Sequence, residues 1–123
     1  MQKAHEIREE LRAPALELRH EIPEVLRAHA EMSRAAMAEG ELSSLTKELA
    51  AIAIAITREC DGCIVAHARQ LVRLAATRRQ VAELIGVAIM MNGGPGTVWG
   101  PRALAAFDQS LEEFAAPEGS PNK

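Results

Sequence analysis

Both cysteines of the chain stand in one short stretch, Glu59-Cys60-Asp61-Gly62-Cys63-Ile64-Val65-Ala66-His67, three residues apart, with a histidine four residues beyond the second. A cysteine reacts as its thiolate, so chemistry here needs a positive potential and a base. A helix beginning at or just before Cys60 supplies the potential through its dipole, and steps of three and four residues set Cys60, Cys63 and His67 in one stripe. His67, one turn after Cys63, can take a proton from that thiol, because the ordinary imidazole pKa of about 6.5 lies near neutral pH. The stretch therefore reads as a redox dithiol with its base. Zinc is the competing chemistry: Cys60, Cys63 and His67 are permissible ligands, and Glu48 could be a fourth. Structural zinc sites usually join separate segments, and there is no second Cys/His cluster here, so the spacing favours redox. Covalent haem attachment would need histidine at position 64, which is Ile64.

The chain around this dithiol has 123 residues with 14 basic and 17 acidic side chains, a net charge of -3. That balance provides no basic field to draw the protein onto nucleic acid or an anionic membrane. The length suits one domain, residues 1–116, followed by a polar tail over 117–123 that is expected to be disordered. The opening MQKAHEIREELR lacks the apolar core of a secretory signal, and no apolar run approaches the roughly 18 residues of a membrane span. A cytoplasmic location is the expectation, and there a CxxC pair is more often redox-active or metal-binding than a permanent structural bridge. Hydrophobic residues make up 48% of the chain but aromatics only 2%, so the core must be built from Ala, Leu, Ile, Val and Met, which suits closely packed helices.

Six helical stretches and no credible strand position the dithiol, which predicts an all-α fold. The first runs from Met1 to about Arg19, with a kink or break near Ala13 imposed by Pro14. His20-Glu21-Ile22-Pro23 starts the second, whose apolar positions are Val25, Leu26, Met32 and Met37 and which Gly40 ends. Ser43 or Ser44 caps a third helix from about Leu45 to Arg58; its Leu49–Ile56 run is apolar all round and hence expected to be buried. The dithiol helix follows, from Cys60 or Asp61 to Ala75, with Val65, Leu71, Val72 and Leu74 inward and Arg69 and Arg73 toward water. Thr77-Arg78-Arg79-Gln80 has the pattern of a capping box and opens a fifth helix ending near Met91. Asn92-Gly93-Gly94-Pro95-Gly96 is a break without the G-x-x-x-x-G-K-[ST] pattern of a phosphate loop. The last helix spans about Thr97 to Ala115, with Leu104, Phe107, Leu111 and Phe114 on one stripe. Trp99 suits an interface, a core or a pocket wall, Met32, Met37, Met90 and Met91 read as core filler, and His5, His20 and His29 as surface residues.

With Glu48, twelve residues before Cys60, the pattern becomes E-x11-C-x2-C-x3-H. It resembles the alkylhydroperoxidase D-like branch of the carboxymuconolactone decarboxylase superfamily. Thr46-Lys47-Glu48-Leu49 opening an Ala/Ile helix, and Asn92-Gly93-Gly94-Pro95 before an amphipathic helix, extend the likeness over residues 40–115. The resemblance implies an all-helical bundle, a homo-trimer or homo-hexamer, and a dithiol that reduces a small peroxide or disulfide and is restored by an external dithiol or protein reductant, with no bound cofactor. It makes Cys63 the cysteine that becomes a sulfenic acid, Cys60 its resolving partner, and Glu48 and His67 members of a proton relay. The position next to His67 supports the same order, although Cys60 is nearer the helix dipole. Gly62 stands where the best-known alkylhydroperoxidases have a histidine, so slow peroxide turnover is expected. The cysteine pair argues against lactone decarboxylation, the chemistry that names the superfamily. The alternatives are a module of the same fold that senses redox state or holds zinc without turnover, and a carboxymuconolactone decarboxylase-like enzyme.

Overall fold

The computed structural model describes residues 1–115 and contains six helices in chain order: α1 (Ala4–Glu21), α2 (Pro23–Met37), α3 (Ser44–Thr57), α4 (Asp61–Arg73), α5 (Arg78–Asn92) and α6 (Gly94–Ala115). There is no strand among the described residues, so the fold is all-α as the sequence predicts. The expected disordered tail at 117–123 lies outside the described residues. None of the described helices is long and apolar enough to cross a membrane.

The core lies where α3, α4, α5 and α6 meet, built on Ile52 and Ile56, Ile64 and Leu71, Val81 and Ile85, and Phe107, which α6 inserts fully buried. Small residues bring α5 and α6 together: a Cβ on Gly100 would lie 2.7 Å from Ile85 Cγ2, and one on Gly96 would lie 2.9 Å from the Ile89 Cα. The sharp reversal between them turns on Gly93, whose φ of 67° suits glycine, and whose N–H donates to the Ile89 carbonyl at 2.8 Å. Arg78 then ties the start of α5 to α6 by a two-pronged bond to Asp108, at 2.9 and 3.1 Å. Hydrogen bonding to that carboxylate, and its charge, hold the guanidinium still more firmly protonated.

Helix starts follow local chemistry. Ser43, rather than Ser44, caps α3 by accepting from the Thr46 N–H, and Thr77 and Gln80 form the complete reciprocal capping box at α5. Pro23 occupies the first turn of α2, and Ile22 before it, whose backbone leaves the helical region, closes α1.

Several expectations are corrected. Pro14 does not break α1; residues 11–20 are all exposed, so the carbonyl that proline leaves without its helical donor can turn to water. Helix α2 stops at Met37 through an extended Ala38, before Gly40, and α6 starts at Gly94 rather than Thr97. The methionines are not core filler: Met32, Met90 and Met91 are exposed, as is Val25, and α2 buries no residue at all. The apolar helices α3 and α5 are buried on one side only, with Ile54 and Val87 outside. Arg69 does not simply face water; it is half-buried between Glu113 and the Phe114 ring.

Candidate active site

The turn between α3 and α4 sets the site. The last turn of α3 closes by a pair of backbone bonds, Glu59 N–H to the Ile56 carbonyl and Cys60 N–H to the Ala55 carbonyl, each 3.1 Å. This closure requires the left-handed conformation at Glu59, which has a φ of 52°. The chain then becomes extended at Cys60, whose sulfur caps α4 by accepting the Cys63 N–H at 3.3 Å. One residue thus ends the closure of α3 and starts α4. Cys60 and Cys63 are joined in a disulfide, with Cα atoms 5.3 Å apart. Cys63 is exposed and Cys60 is partly covered. Asp61, in the first turn of α4, adds negative charge at the positive end of the helix.

Glu48 enters from α3. It is one of two buried polar residues among those described, and its carboxylate lies 2.6 Å from the Nδ1 of His67 on α4. The pair orients the imidazole so that its other ring nitrogen is free for a second partner. Its open side meets a cleft of about 520 Å³ lined by Ser33, Arg34, Met37, Gln70 and Leu74 besides the pair itself. Ser33, Arg34 and Gln70 were not singled out from sequence, and Met37 was read only as core filler; α2 reaches the site only through the folding of the chain, and local spacing carries no signal of it. No three His, Cys, Asp or Glu side chains converge on a common metal position among the described residues. Glu48 and His67 form one pair and the two sulfurs another.

Gly62 lies beneath α1. A Cβ there would come within 3.1 Å of Leu11 Cδ1, so a side chain at this position would have to displace Leu11. The residue that departs from the alkylhydroperoxidase pattern therefore faces α1 at Leu11.

Residues 23–109 match the model of the carboxymuconolactone decarboxylase family, and the chain belongs to that family. An uncharacterised protein of Cupriavidus necator is 41% identical over 86 residues, spanning 70% of this chain and 76% of its own. An uncharacterised protein of the cox locus of Paracoccus denitrificans is 36% identical over 78 residues, 63% of this chain and 70% of its own. A carboxymuconolactone decarboxylase family protein from Legionella pneumophila, solved as a crystal structure in its apo form, superposes with a TM-score of 0.85 at 35% identity, covering 88% of this chain and 96% of that one.

Proposed function

We propose that the protein is a thiol-disulfide oxidoreductase that reduces small peroxides or disulfides through Cys63 and Cys60. The observation that carries this reading is the pairing of the two sulfurs at the start of α4, with Cys63 exposed and one helical turn before an imidazole held by a buried carboxylate. In the reduced protein His67 takes the Cys63 proton. The thiolate attacks the outer peroxide oxygen, the S–O bond forms as the O–O bond breaks, and the departing alkoxide receives the proton back from His67 to leave as an alcohol. Cys60 then attacks the sulfur of the resulting sulfenic acid; the S–S bond forms, and the hydroxyl leaves with the Cys60 proton as water. An external dithiol restores the pair by two exchange steps and is itself oxidised to a disulfide. Glu48 acts by positioning His67 and balancing the charge it acquires. Gly62 supplies no second base, which supports modest turnover.

One equivalent of peroxide added to the reduced protein is expected to lower its intact mass by two units, in step with the loss of free thiol. A protein that keeps both thiols, or stops at a mass gain of sixteen, would overturn the reading.

We further propose that the protein works as a homo-trimer or homo-hexamer. The stripe Val87, Met90 and Met91 on α5 is exposed, as are Ile54 and Val98, and an interface between copies would cover such apolar side chains. Light scattering at micromolar concentration tests this; a monomeric mass would reject it.

A further inference from the structure

Helix α2 alone among the described helices buries none of its residues, yet it supplies one wall of the cleft over the Glu48–His67 pair, with Ser33, Arg34 and Met37. Leu26, Ser33 and Met37 are half-buried, and every other residue of α2 is exposed. The exposed side chains of Val25 and Met32 therefore add little to its hold on the core. Helices α3 and α4, by contrast, insert Ile52, Ile56, Ile64 and Leu71 into the buried core.

Polar ties do not make up for this. Among the described residues, those joining α2 to the core gather at or just past its C-terminal end: Ser44 Oγ donates to the Met37 carbonyl at 2.7 Å, Lys47 Nζ to the Ala38 carbonyl at 2.6 Å, and the Ser44 N–H to Glu39 Oε1 at 3.1 Å. At its other end α2 joins the half of α1 over residues 11–20, all exposed, while α1 is anchored at its own beginning by buried Ala4 and Ile7. Isolated helices shorter than about 12–15 residues are marginal in water, and α2 has 15. Ile22 and Ala38, both outside the helical region, bound it on either side, so α2 can melt between them while its neighbours keep their helical bonds. Segments with few buried apolar contacts are the ones that open at least cost.

We propose that α2 is a low-stability cover over the Glu48–His67 pair, which unfolds and refolds between Ile22 and Ala38 while α3 to α6 stay folded. With α2 in place, Ser33, Arg34 and Met37 narrow the approach to the imidazole; with α2 open, that wall is gone and the pair faces water. The ties at Ser44 and Lys47 hold the cover shut from its C-terminal end. That the opening bears on catalysis rests on the redox reading above; the opening itself does not.

The test is hydrogen exchange of the oxidised full chain, read by mass spectrometry without peroxide, so that it is independent of any turnover. Amides of residues 27–37 are expected to exchange at least tenfold faster than those of α3 and α4. In Ser44→Ala/Lys47→Met, which removes two of the ties, exchange in α2 should rise at least threefold further while α3 to α6 are unchanged. Acylation by diethyl pyrocarbonate, mapped by peptide, should then be at least threefold faster at His67 and unchanged at His29, which is exposed on α2 itself. Exchange in wild-type α2 as slow as in α3 would overturn the proposal and give this face to a contact between copies. So would acylation of His67 at the same rate in both proteins, or exchange that rises equally in α2 and α4 of the double variant.

Discussion

Glu48 and His67, nineteen residues apart in the chain, meet across α3 and α4 with carboxylate oxygen and ring nitrogen 2.6 Å apart. The carboxylate is buried and the imidazole two-thirds covered, so the contact ties two helices of the core together as well as orienting the imidazole.

His67→Ala would leave a buried carboxylate without its partner. The expected loss is about 1–3 kcal/mol in urea unfolding, below the figure for a fully buried pair because His67 is partly exposed. Adding Glu48→Gln should recover part of that stability without restoring the rate of thiol oxidation. Recovery of both together would show that the histidine acts only through packing.

Cys60→Ser should still give a sulfenic acid at Cys63 on peroxide addition, trapped by dimedone, whereas Cys63→Ser should lose most of the labelling. The exposure of Cys63 and its place one turn from His67 motivate this order. Labelling of Cys60 at an undiminished rate in Cys63→Ser would reverse it.

Met90→Glu is expected to convert the assembly to smaller species in light scattering while the helical circular dichroism signal is retained. A charge on a side chain that is 72% exposed costs the isolated subunit little, so an unchanged mass would place the subunit interface elsewhere.

Two glycines should respond with opposite signs. Gly96→Ala forces a Cβ against the backbone of Ile89 and is expected to cost about 1–3 kcal/mol. Gly86→Ala, within α5 and with open space around it, should add about 0.5–1 kcal/mol through helix propensity. Denaturant midpoints of the two variants check both at once.

The caps were legible because their rules are local: Ser43, the Thr77–Gln80 box and Pro23 each declare a helix start within four residues. Glu48, Cys60, Cys63 and His67 were singled out by residue type, spacing and family likeness, yet the Glu48–His67 contact depends on how α3 crosses α4, which no spacing states. Arg69 was misread for the same reason, since its partner Glu113 lies forty-four residues away. The methionines failed differently. Hydrophobicity marks a surface to be covered, but does not say whether the same chain or another copy covers it.

Cys60 finishes the closure of α3 and caps α4 with its own sulfur. It is therefore both a reactive group and a fixed joint. The backbone that sets the crossing of the two helices, and with it the alignment of Glu48 and His67, is held at that joint by bonds to Ala55 and Cys63 which do not require the disulfide. On the proposed redox reading, electrons would enter and leave while the frame around them stays still, and the two oxidation states are expected to differ in surface chemistry rather than in shape.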